Sequence, residues 1–228
     1  MAKKEESKDL LESSEALQEK FEGFEHWVQS NPKIIIGVVG ALVLAVGGYF
    51  GWKYYIDSQE AQAQKDMFQA VHYFESDSLN LALNGDGNNL GFKQIIEDYG
   101  MTPAGNLANF YSGVIHLKQG NFPLAIFFLE DFKSSDMLVQ ARAYSLIGDA
   151  YMEQKKYEDA SVWYNKACDY KPNKEFTPSY LMKAALAYEK LNQNEKAKEV
   201  YQKLIDTYFE SSEVQNAKKY KARLESNS

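Results

Sequence analysis

ARAYSLIGDAYMEQKKYEDASVWYNKACDYKP, residues 141–172, carries the pattern that decides the fold. Gly148 and Ala160 lie twelve residues apart, with Tyr151 three after the first and Tyr164 four after the second. Two helices joined by a turn at Gln154-Lys155-Lys156 would cross at the small residues and set the rings into the holes beside them. The same landmarks recur on both sides. Gly113 and Ala125 fall 35 residues earlier, and Ala185 and Ala197 fall 37 residues later. His116 and Tyr188 match Tyr151, Leu129 and Tyr201 match Tyr164, and the turns Gln119-Gly120-Asn121 and Asn192-Gln193-Asn194 arrive on schedule. A period of this length, with helical spacing inside each unit, predicts a solenoid of helical pairs.

The unit resembles the tetratricopeptide repeat, whose packing positions would be Tyr144, Ile147, Gly148, Tyr151, Tyr157, Ala160, Tyr164, Ala167 and Pro172. The resemblance implies an all-α solenoid that binds protein along a concave face made by the first helix of each pair. By repeat register that face holds Leu107, Phe110, Val114 and Leu117 in the first unit and Arg142, Ser145, Asp149 and Met152 in the second. Ser179, Met182, Leu186 and Glu189 occupy it in the third. Relatives that grip a C-terminal carboxylate place Lys and Asn there, where this chain has Phe110 and Val114. An extended or helical apolar segment is therefore the expected ligand. Phe110→Glu is expected to weaken its capture and leave the array folded.

Working outward, residues 61–83 read as one long helix with Met67, Ala70, Val71 and Phe74 on its apolar side. Phe92, Ile95, Ile96 and Tyr99 mark a second, shorter helix, and the two are expected to form a divergent first pair. The loop between them, Asn84-Gly85-Asp86-Gly87-Asn88-Asn89, is oxygen-rich. However, a calcium helix-loop-helix needs Gly at its sixth position and Glu at its twelfth, and Asn89 and Ile95 stand there. Downstream, Val214, Ala217, Tyr220 and Leu224 predict a final helix that caps the stack with a polar outer face.

Further upstream, Ile34 to Trp52 (IIIGVVGALVLAVGGYFGW) is nineteen residues without a charge, between Lys33 and Lys53. As a helix it would reach about 28 Å, enough to cross a bilayer core. No A-x-A-like cleavage site follows, and Tyr49, Phe50, Trp52, Tyr54 and Tyr55 cluster at its far end as interfacial aromatics do. A retained single span is expected. Gly37, Ala41, Ala45 and Gly48 share one of its faces and would let another helix approach closely. Lys20 and Lys33 on one side balance Lys53 and Lys65 on the other. The short leading tail is therefore assigned to the cytoplasm on topological simplicity. In that tail Leu10, Leu17, Phe21, Phe24 and Val28, with Ser14 filling the gap, step by threes and fours, a seam that suits a short coiled coil, a partner-docking helix or a helix resting on the membrane with Trp27 at the interface. Asn31-Pro32 ends it.

The domain reading that follows is a tail at 1–33, a transmembrane helix at 34–52 and a linker with a divergent pair at 53–105. Three repeats at 106–212 and a cap at 213–228 complete it. A formal charge of −7, with acids and bases interspersed, excludes a basic nucleic-acid stripe. The lone Cys168 excludes an internal disulfide and a cysteine metal site. His116 stands at a packing position and reads as a core residue. No P-loop, dinucleotide fingerprint, zinc helix or nucleophile elbow occurs, so no enzyme, cofactor or small-molecule substrate is expected.

The layout of tail, span and trailing repeats resembles the YfgM-like family, ancillary subunits of the bacterial Sec translocon. GNLANFYSGVIHLKQGNFPLAIFFLEDF and ARAYSLIGDAYMEQKKYEDA are its best stretches. That resemblance implies a single-pass protein of the bacterial inner membrane with a cytoplasmic N-terminus and a periplasmic repeat domain. It also implies protein partners: Sec translocon subunits and a membrane-anchored periplasmic chaperone. The ending DTYFESSEVQNAKKYKARL is similar to outer-membrane assembly and cell-division repeat proteins, which supports the alternative of an envelope-assembly or cell-division adaptor. A receptor on a eukaryotic organelle, with repeats in the cytosol, is a third possibility.

Overall fold

The computed structural model describes residues 14–226, with side chains from Lys20 onward, so the seam positions Leu10 and Leu17 lie outside the described side chains. Among the described residues every regular element is a helix. They fall into two compact units that meet between Tyr55 and Ile56.

In the first unit, α1 (Ser14–Ser30) is followed by a single non-helical residue, Asn31, and by the start of α2 (Pro32–Glu75). Pro32 lacks an N–H, so it opens a helix without losing a bond and cannot continue the previous one. The apolar window of α2 has none of its residues buried within the protein, which fits a single-pass anchor whose solvent is lipid. Gly37 and Gly48 have open space where a Cβ would stand, and Ala41 and Ala45 are exposed.

In the second unit the end of α2, α3 (Leu79–Asn84), α4 (Phe92–Tyr99), α5 (Pro103–Lys118) and α6 (Phe122–Asp131) follow in order. Then come α7 (Met137–Glu153), α8 (Tyr157–Asp169), α9 (Thr177–Lys190), α10 (Asn194–Thr207) and α11 (Val214–Ser226). The pairs α5/α6, α7/α8 and α9/α10 are the three repeats, and α11 caps them. Ala125, Ala160 and Ala197 are fully buried at the crossings. A Cβ at Gly113 would stand 2.5 Å from Leu129 Cγ, and one at Gly148 would stand 2.6 Å from the Tyr164 ring. The crossing therefore requires glycine in both places, while Ala185 fills the third without exposure.

Each first helix ends in the same way. Gly120, Lys155 and Asn192 adopt φ of 75°, 57° and 58°, and the next residue's N–H bonds back to His116, Tyr151 and Tyr188 at 2.8–2.9 Å. This is the Schellman closure, in which a left-handed residue lets the chain reverse while satisfying the last carbonyls.

The same closure appears once more, earlier. Asp77 has φ of 56° and Ser78 N–H donates to Tyr73 O at 2.8 Å, so the long helix stops at Glu75 instead of running on to Leu83 as expected. Ala70 and Ala82, again twelve apart, are fully buried. The divergent first pair is thus α2 with the six-residue α3, and α4 is an insertion after it. Thr102 caps α5 by accepting from Gly105 N–H at 3.0 Å, so the first repeat begins at Pro103, three residues before the expected 106. A Cβ at Gly105 would lie 2.0 Å from Tyr99 O, which holds α4 and α5 in contact.

The end of α2 is fastened to the array by polar bonds around an apolar seam. Glu60 accepts from Ala104 N–H at 2.8 Å, Asp66 accepts from Tyr99 O–H at 2.6 Å, and Lys118 pairs with Asp77 at 2.8 Å. Between them Phe74 meets Tyr111 edge-on and Phe92 stacks on the same ring.

Candidate functional site

The candidate site is a groove along the C-terminal halves of α5, α7 and α9. Its larger part, about 600 Å³, is lined by Leu117, Phe122, Asp149, Met152, Lys183 and Leu186 among others. A smaller recess of about 260 Å³ shares Lys183 and Leu186 and adds Met182, Glu189, Tyr220 and Arg223. Leu117, Asp149, Met152, Met182, Leu186 and Glu189 of the expected concave face are therefore brought together.

The other expected positions are placed differently. Leu107 and Phe110 pack into the cluster of Leu129, Phe132, Ala143 and Ile147, with the Phe110 and Phe132 rings 5.3 Å apart. Phe110→Glu would put a carboxylate into that cluster, so the expected separation of binding from folding fails at this residue. Ser145 is 2% exposed, and its hydroxyl accepts from Lys183 at 3.2 Å, which removes it from any partner. Val114 is half-buried and Arg142 exposed, and neither lines the groove. Ser179 donates to its own helix at Phe176 O.

The groove floor is a closed set of polar bonds. Lys183 Nζ reaches Asp149 at 2.7 Å, and Asp149 also accepts from the Tyr164 hydroxyl at 2.7 Å. Burial and the Asp149 charge both push the Tyr164 phenol far above its ordinary pKa, so it stays a proton donor. One repeat further on, Glu189 accepts from the Tyr201 hydroxyl at 2.7 Å and pairs with Arg223 of the cap helix. The carboxylates at 149 and 189 thus hold first helix to second helix in their own repeats, and each pairs with a cation two helices further on, Lys183 on α9 and Arg223 on α11. Lys183 and Arg223 were not assigned from the sequence, and Tyr164 and Tyr201 were assigned to packing and not to the groove. The signal for Tyr164 and Tyr201 was present, since both occupy aromatic packing positions facing an acidic residue.

Cys168 is 3% exposed, and burial pushes its thiol up to about 12, so it is a protonated packing group. Among the described residues no group of His, Cys, Asp and Glu is placed to hold a metal ion. Asp86 spends its oxygens on Tyr73 O–H, the Asn88 and Asn89 N–H groups and the Asn89 amide, which closes the 84–89 loop as a turn.

His116 is 4% exposed, stacks on Phe128 at 5.4 Å, and has no partner at either ring nitrogen. Burial first, and then the Lys93 charge, hold its pKa below the ordinary value. The folded state therefore binds the proton less readily than the unfolded chain, whose His titrates near about 6.5. Stability is present above that pH and falls as pH drops through it. In urea melts between pH 7.5 and 5.5, His116→Phe should remove most of the acid-side decline and raise the midpoint. An unchanged pH slope would contradict this.

Two family models match the chain: a TPR repeat model over residues 148–191 and a tetratricopeptide repeat model over residues 179–211. Residues 148–211 thus match tetratricopeptide repeat models as well as showing the paired-helix geometry, and repeats of this kind are typical of non-enzymatic proteins that bind other proteins. No curated protein matches the chain.

Proposed function

We propose that the chain is a membrane-anchored scaffold that captures an apolar segment of a partner protein along the first-helix groove. One observation carries this: Lys183 and Arg223 are already paired with Asp149 and Glu189, while Leu117, Met152, Met182 and Leu186 line the open space. A carboxylate ligand would have to break those pairs, whereas an apolar side chain gains burial at no such cost.

The tail, span and repeat layout extends the proposal to a setting. The repeats would stand on the periplasmic side of a bacterial inner membrane, beside the Sec translocon, and work with a membrane-anchored periplasmic chaperone on emerging chains. The small face of Gly37, Ala41, Ala45 and Gly48, open in the structure, would seat the span against a translocon helix. The test is in-cell crosslinking and mild-detergent purification with the native span and with an unrelated one. Translocon and chaperone subunits should be recovered with the native span and lost with the exchange. Recovery of envelope-assembly or division proteins with either span would move the function to the repeats alone.

A further inference from the structure

Helix α1 presents an aromatic face that is exposed among the described residues. Phe21 is 67% exposed, Phe24 62% and Trp27 47%, and the rings of Phe24 and Trp27 stack at 6.3 Å. With 3.6 residues per turn these three and Val28 cover an arc of about 120°, wider than the two-position seam of a coiled coil. Glu22, Glu25, His26, Gln29 and Ser30 occupy the other side, and Lys20 lies at the edge of the arc beside Trp27. The helix ends two residues before the anchor helix begins at Pro32, so the bilayer is its nearest apolar medium. Asn31, the one non-helical residue, and Pro32, which offers no N–H to carry the hydrogen-bond ladder across, make a joint at that point.

From this juxtaposition we infer that α1 bends at Asn31–Pro32 and lies in the membrane interface, with Phe21, Phe24, Trp27 and Val28 in the acyl boundary. The inference rests on the anchor reading. Trp is the residue most suited to the headgroup layer, and a Lys at the edge of an apolar arc can carry its stem across apolar surface and its ammonium to a phosphate. The polar side carries Glu22 and Glu25, so attachment gains from aromatic burial and little from anionic lipid, unlike the basic interfacial helices.

The geometry makes a sharp test. Were α1 upright, Phe21, thirteen residues before Ile34, would stand about 20 Å from the hydrocarbon at 1.5 Å per residue. The headgroup layer is only about 5–7 Å deep. Full-length chains carrying one tryptophan each, at 27, at 52 or at 21 (Phe21→Trp), with the others changed to Phe, are reconstituted in phosphatidylcholine nanodiscs brominated at graded depths. Fluorescence should be quenched at 21 and 27 alike, most strongly by bromine nearest the headgroup, and adding anionic lipid should leave the quenching unchanged. Quenching at 27 and 52 but not at 21 would overturn the inference and leave the anchor standing. Shielding of 21 from aqueous acrylamide without bromine quenching would overturn it too, in favour of a second copy of the chain on the stripe. No bromine quenching even at 52 would overturn the anchor reading itself.

Discussion

Gly148→Leu should lower the thermal midpoint of the second unit by roughly 6–12 °C, from a loss of about 3 kcal/mol or more at about 2–4 °C per kcal/mol. A Cβ there already stands 2.6 Å from Cδ1 and Cε1 of Tyr164. The ring cannot swing aside cheaply, because Tyr164 is 2% exposed and its hydroxyl is tied to Asp149. Leu brings three further carbons into the same space. The mechanism has its own control. In Gly148→Leu/Tyr164→Ala the clash is removed, so the double variant should lose much less than the sum of the two single losses. Additive losses would show that the crossing is not the cause. Val162→Leu, on the 51% exposed outer face of the same repeat, should leave the midpoint nearly unchanged.

The largest functional effect is expected at the groove. Met152→Glu with Leu186→Glu should reduce partner retention at least about tenfold, since anchors in a desolvated pocket dominate binding and a carboxylate there must lose its water. Leu186 is 43% exposed, so the fold should tolerate its change, whereas Met152 is half-buried against the neighbouring core cluster, so circular dichroism and the thermal midpoint of each single variant separate a loss of binding from a loss of fold. Full retention by a folded double variant would exclude the groove. Phe110 cannot serve for this experiment, because its ring is part of the cluster with Phe132.

These two positions also show what the sequence makes legible. Gly148 was found by spacing alone, because a helix crossing leaves a strict mark: two small residues twelve positions apart. The left-handed closures were half visible, with Gly120 plain and Lys155 and Asn192 hidden, since non-glycine residues carry no conformational label. The unit at Ala70 and Ala82 has the same spacing but stayed hidden for physical reasons. Its second helix is cut to six residues, no aromatic stands four after Ala82, and the inserted α4 lengthens the step to the next unit to 43 residues.

The groove was legible only in part. Repeat register assigns residues to the first-helix face, yet several of them are taken up by packing within the array. Leu107 and Phe110 pack on the cluster of Phe132 and Ile147 and Ser145 is buried, while Leu117, Met152 and Leu186 near the helix ends line the groove. Nor could register reveal Arg223, which reaches Glu189 from 34 residues away. Long-range polar pairs of this kind leave no periodic trace.

The groove as the partner site is tested most directly by in-cell photo-crosslinking. A benzophenone side chain is placed at Leu186, in the groove, and separately at Val162 and Phe209, which are exposed elsewhere on the unit. A discrete crosslinked species from Leu186, absent from Val162 and Phe209 and lost when Met152→Glu is added, is the predicted result. Equal crosslinking from all three positions, or none from Leu186 while Val162 or Phe209 captures a partner, would contradict it.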